Sequence, residues 1–161
     1  MSKAVYAGSF DPFHNGHLDI VKKASKVFDE VIILIANNPA KIRKTRTSEM
    51  VAAIRETLEA HGLDNCSCTV APFSTYTVVY TAEHDADFLI RGLRNEEDFA
   101  YEEEMARVNH IINPLIETIY FRADNAFLSS SFIKEQIEKE DIKSIMNFVP
   151  APVYLLLDKE K

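Results

Sequence analysis

The sequence predicts an α/β fold: a parallel sheet of about five strands with helices on both faces, three layers in all. Three observations carry this. Glu30-Val31-Ile32-Ile33-Leu34-Ile35-Ala36 is a continuous apolar run, the pattern of a strand covered on both faces. Apolar strands alternate throughout with stretches whose apolar residues recur at helical spacing, which is the arrangement of right-handed crossovers. A length of 161 residues suits one domain with a real core and is too short for two of ordinary size, so one domain over residues 1–161 is expected.

Taken in order, Ala4-Val5-Tyr6-Ala7 is the first strand and Leu18 to Ala24 lies in the first helix, which should end near Phe28. After the second strand, Asn37 to Arg46 form a loop carrying Lys41, Arg43, Lys44 and Arg46. Thr47 or Ser48 can cap the next helix, where Met50, Ile54 and Leu58 form an apolar stripe reaching toward Gly62. Ser67 to Ala71 is the third strand, Pro72 to Tyr76 its loop, and Thr77 to His84 a short helix. Asp87 to Ile90 delivers Arg91-Gly92-Leu93-Arg94. A long helix opens at Asp98, with Tyr101, Met105, Val108 and Ile112 at helical spacing as core or subunit contact. Glu102 and Asn109, two turns apart, share one flank of it. Asn113-Pro114 ends that helix, Glu117 to Phe121 is the fifth strand, and Ser129-Ser130-Ser131 precede a helix from Phe132 to Lys139. A short helix, a turn and a last helix complete the chain.

Chemistry gathers at the loop after the first strand, Gly8-Ser9-Phe10-Asp11-Pro12-Phe13-His14-Asn15-Gly16-His17. A strand-to-helix loop is where open α/β sheets bind ligands, because amides of the first helical turn point outward and favour anions such as phosphate. Gly8 permits the turn and Gly16 close access between two imidazoles, while His14 and His17, three apart, face one cleft. Arg91 and Arg94 offer planar donors that suit phosphate. The three serines cap the helix that follows them, and the same hydroxyls and free amides make an anion seat.

Composition narrows the classes of function. Apolar residues make up 47% and charged residues 27% of the chain, as in globular proteins. A net charge of −7 argues against a general nucleic-acid binder, which needs a concentrated basic surface. No apolar run approaches the length of a membrane span and no signal peptide is visible, so a cytoplasmic protein without a membrane or nucleic-acid partner is expected. Cys66 and Cys68, two apart on a strand, point the same way with no loop to staple. They lack a second Cys/His pair for zinc, which leaves them structural or incidental. His14 and His17 lack a third ligand for a metal, and no cluster of carboxylates forms a dedicated cage.

His14-Asn15-Gly16-His17 resembles the HxGH signature of the nucleotidylyltransferases, and the fuller Gly8 to His17 loop is similar to that of bacterial phosphopantetheine adenylyltransferases. Arg91 to Arg94 resembles that family's Ile-Arg-Gly-Leu-Arg element, Tyr101-Glu102 its Tyr-Glu pair, and Ser129 to Ser131 its run of serines. One departure is that the family usually has Thr where His14 stands. The resemblance implies a Rossmann-like nucleotidylyltransferase fold, a homohexamer, ATP with magnesium, and transfer of AMP to 4′-phosphopantetheine. It implies His17, Lys41 and Arg91 as catalytic, with Lys44 as a fallback because the basic loop is one residue longer than the family's. It implies nucleotide contacts at Ser9, Phe10, His14, His17, Gly92, Leu93, Arg94, Glu102, Asn125, Ala126, Phe127, Leu128, Ser129, Ser130 and Ser131. Acceptor contacts are implied at Ser9, Lys41, Thr77, Arg91 and Asn109.

Both reactants being phosphates, no protein nucleophile is needed, and the sequence offers no GxSxG or Cys/His arrangement for one. Two rival readings stay open at this point. His14 keeps alive a nucleotidylyltransferase with another acceptor, such as nicotinamide mononucleotide or glycerol phosphate, and the loops alone would also suit a non-catalytic nucleotide-sensing module.

Overall fold

Strands rich in Val, Ile and Leu that must be covered on both faces set the architecture. A computed structural model of the chain describes residues 1–36, 42–72 and 75–160. In it β1 (Lys3–Gly8), β2 (Glu30–Ile35), β3 (Cys66–Val70), β4 (Phe88–Leu93) and β5 (Glu117–Arg122) form a parallel sheet in the order β3-β2-β1-β4-β5. The helices are α1 (Asn15–Val27), α2 (Thr47–Ala60), α3 (Thr77–Glu83), α4 (Glu96–Ile112), α5 (Ser130–Lys139) and α6 (Ala151–Lys159), with a 3-10 turn at Ile142–Ile145.

Alternation along the strands builds two cores. Ala4 and Tyr6 of β1 join Ile33 and Ile35 of β2 beneath α1, α2, α5 and α6. Val5 and Ala7 face the other way with Ile32, Leu34 and Val78 of α3. Each fully buried Ile or Leu contributes on the order of 1.5–3 kcal/mol, and the larger core lies on the α1 side. Cys68 is buried there and Cys66 is partly buried against it, so the two thiols do share one face. Burial pushes Cys66 up to about 11 and Cys68 up to about 12, which holds both as unreactive thiols at neutral pH.

Element boundaries differ from the sequence reading where a cap decides them. Arg46, not Thr47 or Ser48, is the α2 N-cap, and it makes no side-chain capping bond. α4 begins two residues early because Asn95 accepts the Asp98 amide. α5 begins at Ser130 because Ser129 alone takes the capping position, accepting the Phe132 amide at 3.0 Å. Of the two alternatives for the α4 stripe, core or subunit contact, the structure removes the first. Tyr101, Met105, Val108 and Ile112 are all exposed, and Glu102 is the buried residue of this helix.

The sheet order reverses between β1 and β4: from β1 the chain steps outward to β2 and β3, then returns to β4 and steps outward to β5. That reversal opens a crevice at the carboxyl ends of β1 and β4, the place where doubly wound sheets take ligands. Both the Gly8 loop and Arg91 stand at it.

Candidate active site

His14 decides the local geometry of the first loop. It takes the N-cap of α1, its Nδ1 accepting the amides of Gly16 at 3.0 Å and His17 at 3.4 Å. In return His17 Nδ1 accepts the His14 amide at 3.1 Å, a capping box built from two imidazoles. The rings stack with centroids 3.7 Å apart, and a Cβ on Gly16 would come within 2.8 Å of the His14 ring, so only glycine fits there. This alters the expectation that the first-turn amides of α1 await an anion. His14 already occupies two of them, and Asn15 donates its amide to the Phe148 carbonyl at 2.8 Å.

The same bonds fix the tautomers. Each Nδ1 accepts, so each proton sits on Nε2, and His17 Nε2–H is the donor left for the cleft it lines. Both rings are held neutral. Burial pulls His14 down to about 3, with the Arg94 charge adding to it. Burial foremost, then His14, Arg94 and Arg91, hold His17 well below its ordinary value. His17 is further clamped by Phe13, stacked at 5.4 Å, and Phe10, edge-on at 4.8 Å.

Across the crevice, Arg91 donates from Nε and Nη2 to the two Glu102 oxygens at 2.6 and 2.7 Å, and from Nη1 to the Ala7 carbonyl at 2.7 Å. Three of its five N–H groups are thus used, leaving two free of these bonds. Burial alone would lower the pKa of this guanidinium, but hydrogen bonding and charge from Glu102 outweigh that and raise it. Arg94 is oriented by Asp98 through Nε at 2.9 Å and Nη2 at 3.2 Å.

A cleft of about 330 Å3 brings together Ser9, Phe10, His14, His17, Arg91, Gly92, Arg94, Glu102, Leu128, Ser129, Ser130 and Ser131. The start of α5 also reaches this cleft. The Ser130 hydroxyl donates to the Pro12 carbonyl at 3.0 Å, joining this helix to the first loop, and the Ser130 and Ser131 amides have no protein acceptor among the described residues. Leu93, Asn125, Ala126 and Phe127 do not line the cleft. Phe127 instead packs its ring on Phe132 and Phe148.

Thr77 and Asn109 line a separate cavity of about 170 Å3 together with Tyr76, Tyr101 and Met105. Ala7, Arg91 and Glu102 border both spaces. Lys41 lies outside the described residues. Lys44, the fallback, does not reach the cleft: its Nζ pairs with Glu138 at 3.4 Å on an exposed surface.

Sequence reasoning missed several residues. Tyr6, Ile20, Asp98 and Ala123 also line the cleft. The spacing of Asp98, four beyond Arg94 at a helix start, was a readable signal. Asp11 and Arg43 were missed as a pair. The Asp11 carboxylate accepts the amides of Lys44 at 2.9 Å and Thr45 at 3.1 Å and faces Lys134 at 3.4 Å. Arg43 donates to the Ser9 carbonyl. Together they tie the basic segment to the first loop.

The profile of the cytidylyltransferase-like family matches residues 5–146. A phosphopantetheine adenylyltransferase of Lacticaseibacillus paracasei is 44% identical over 93% of this chain and 88% of that relative. One from Herpetosiphon aurantiacus is 41% identical over 98% of this chain and 93% of its own length. Among solved structures, the nicotinic acid mononucleotide adenylyltransferase of Plasmodium falciparum superposes with a TM-score of 0.73 at 16% identity, covering 98% of this chain and 95% of that one. That last likeness speaks for the fold alone. With the family profile spanning most of the sequence and the relatives covering nearly all of it, the chain belongs to the phosphopantetheine adenylyltransferase family of cytidylyltransferase-like proteins.

Proposed function

We propose that this chain transfers AMP from ATP to the phosphate of 4′-phosphopantetheine, giving dephospho-coenzyme A and pyrophosphate. The observation that carries the reading is the wall of Ala7, Arg91 and Glu102 shared by the two cavities. A nucleotide in the larger space would meet an acceptor in the smaller one at Arg91, placing the two phosphates end to end.

In this reading His17 Nε2–H donates to the α-phosphate, Arg91 and Lys41 align the acceptor phosphate, and Ser9 supports them. Arg94, with the serines and amides at the start of α5, holds the leaving pyrophosphate. The acceptor oxygen attacks the α-phosphorus, the bond to the bridging oxygen breaks, and the electron pair leaves with pyrophosphate. Alignment supplies roughly 7–11 kcal/mol, and donors preset for developing charge supply more. Because His17 is neutral, its contribution is a positioned hydrogen bond rather than a full charge. Thr77 and Asn109 contact the pantetheine arm.

Magnesium fits as a guest of the nucleotide. Among the described residues no group of three or more His, Cys, Asp or Glu side chains is placed to hold a metal ion, whereas the phosphates carry their own oxygen ligands; when bound, the ion would neutralise part of their charge. No described helix is long and apolar enough to cross a membrane, and we place the enzyme in the cytoplasm. We also propose a homohexamer, supported by the exposed apolar residues of α4. Incubating the purified chain with phosphopantetheine, ATP and magnesium and weighing the products tests the reaction. Dephospho-coenzyme A with stoichiometric pyrophosphate is expected, and turnover only with another acceptor or with CTP would overturn it.

A further inference from the structure

We propose that the Tyr6 hydroxyl hydrogen-bonds to the ribose of the bound nucleotide, making Tyr6 a binding and specificity residue that the motifs do not mark. The inference rests on the nucleotide-transfer reading above and adds a contact to it. Tyr6 stands on β1 and is 5% exposed. Its ring is held edge-on by Phe10 at 5.2 Å and His17 at 6.4 Å. The hydroxyl lies 3.8 Å from the point a Cβ on Gly92 would occupy, beside Ile20 Cγ1 at 3.3 Å from that same point.

This hydroxyl has no hydrogen-bond partner among the described residues. Yet no fully buried side-chain polar atom among those residues lacks one, so the hydroxyl must remain accessible, and the space it opens on is the cleft that Tyr6 lines. A polar atom held in an otherwise buried, aromatic setting and left unpaired by the protein is one that a ligand can satisfy.

Its neighbours say which part of the ligand. Arg91 and Arg94 are the cationic donors for phosphate, whereas the Tyr6 hydroxyl meets the Gly92 position on the same side as Ile20, and both of those residues are uncharged. Burial raises the phenol above its ordinary pKa even with Arg91 acting the other way, so it stays protonated and can both donate and accept. A sugar hydroxyl has the same dual character and an apolar ring face to lay beside it.

The test removes one oxygen at a time from each side. Binding of ATP, 2′-deoxyATP and 3′-deoxyATP to the full chain is measured by calorimetry, with pyrophosphate release in parallel, for the unmodified chain and for Tyr6→Phe. The unmodified chain is expected to bind ATP about two- to tenfold more tightly than one of the deoxynucleotides, the range of one neutral hydrogen bond. Tyr6→Phe should weaken ATP by that factor and no longer distinguish that pair, with its thermal midpoint and its KM for phosphopantetheine unchanged. A variant that binds ATP normally overturns the proposal. So does equal weakening toward all three nucleotides, which would place the contact on phosphate or base, and so does an unmodified chain that treats all three alike. An unmodified chain that neither binds ATP nor releases pyrophosphate removes the nucleotide-transfer reading itself, a result distinct from each of these.

Discussion

Arg91 and Glu102 face each other as a two-pronged pair, guanidinium to carboxylate at 2.6 and 2.7 Å, in the wall between the two cavities. The carboxylate comes from α4 and the guanidinium from the end of β4, so the pair also pins the long helix to the sheet. The partners are unequally covered: the Glu102 side chain is 10% exposed and that of Arg91 is 35% exposed.

That inequality makes the two truncations differ. Arg91→Ala leaves a buried carboxylate without its cation, for which about 3–5 kcal/mol of stability is expected to be lost. Glu102→Ala leaves a guanidinium that water can reach, and should cost clearly less. Both should depress turnover, Arg91→Ala through loss of contact with the acceptor phosphate and Glu102→Ala through loss of orientation. Denaturant midpoints and kcat for the two variants check the order. Equal destabilisation would show that solvent does not distinguish them.

The two stacked imidazoles give a pH dependence with a defined sign. In the unfolded chain each takes up a proton near pH 6.5, whereas in the fold His14 does so only at about 3 and His17 well below its ordinary value. Between those limits the unfolded state binds more protons, so stability rises with pH. It is full above about pH 6.5 and falls as the pH drops toward 3, by up to about 1.4 kcal/mol per pH unit for each imidazole. Urea midpoints at pH 7.5, 6 and 5 should fall in that order, and His14→Thr, which keeps a capping oxygen, should flatten the trend. Turnover, by contrast, should not show a histidine titration between pH 6 and 8. His17→Ala should lose roughly two to three decades of kcat and about 1 kcal/mol of stability with the capping box.

Much of this was written in the sequence because the signals were local. The continuous apolar run at Val31 to Ile35 announced a doubly covered strand, and the glycine between two histidines announced a crowded helix start. What escaped was set by partners far along the chain. Asp11 is 33 residues from the Lys44 amide it accepts, and nothing in either segment announces the other. The α4 stripe was readable only as core or subunit contact for a related reason. Its spacing says only that one face is apolar, and whether the sheet or another surface covers that face depends on where α4 sits. Tyr6 reads as an ordinary strand aromatic, and only the position of its hydroxyl against Gly92 sets it apart.

Asp11 is expected to matter through the loops it joins. Removing the carboxylate in Asp11→Ala strands the Lys44 and Thr45 amides, at about 1–3 kcal/mol for the buried Thr45 donor and less for the part-buried Lys44 one. It also leaves Lys134 and Arg43 without their shared counter-charge. Asp11→Asn, which can still accept one of those bonds, should recover part of the loss. Thermal midpoints order the three proteins. If both variants match the unmodified chain, the tie between the segments is not under tension in solution.

Lys44 and Lys41 should separate cleanly. The Lys44 ammonium is more than half exposed and, among the described residues, pairs with Glu138, so Lys44→Ala should change kcat/KM by no more than a few fold, consistent with the small worth of surface ion pairs. Lys41→Ala should cost two to three decades if it aligns the acceptor phosphate. Initial rates at saturating ATP, varied in phosphopantetheine, distinguish the two. The reverse ranking would return the role to Lys44 and require its side chain to leave Glu138.

The exposed face of α4 makes the last case. Ile111 is 81% exposed, Met105 and Val108 stand uncovered on the same helix, and Leu115, just beyond its end, is 82% exposed. Apolar side chains gathered on one helix face are the kind of surface that association covers, and the proposed homohexamer would bury them. A charge placed there should break assembly without touching the fold, since these residues lie outside both cores. Ile111→Glu is therefore expected to lower the mass seen by light scattering toward that of one 18.3 kDa chain while keeping its circular dichroism. Because Met105 and Tyr101 also line the smaller cavity, loss of assembly should raise KM for phosphopantetheine more than KM for ATP. An Ile111→Glu protein of unchanged mass would mean that this face is not where copies of the chain meet.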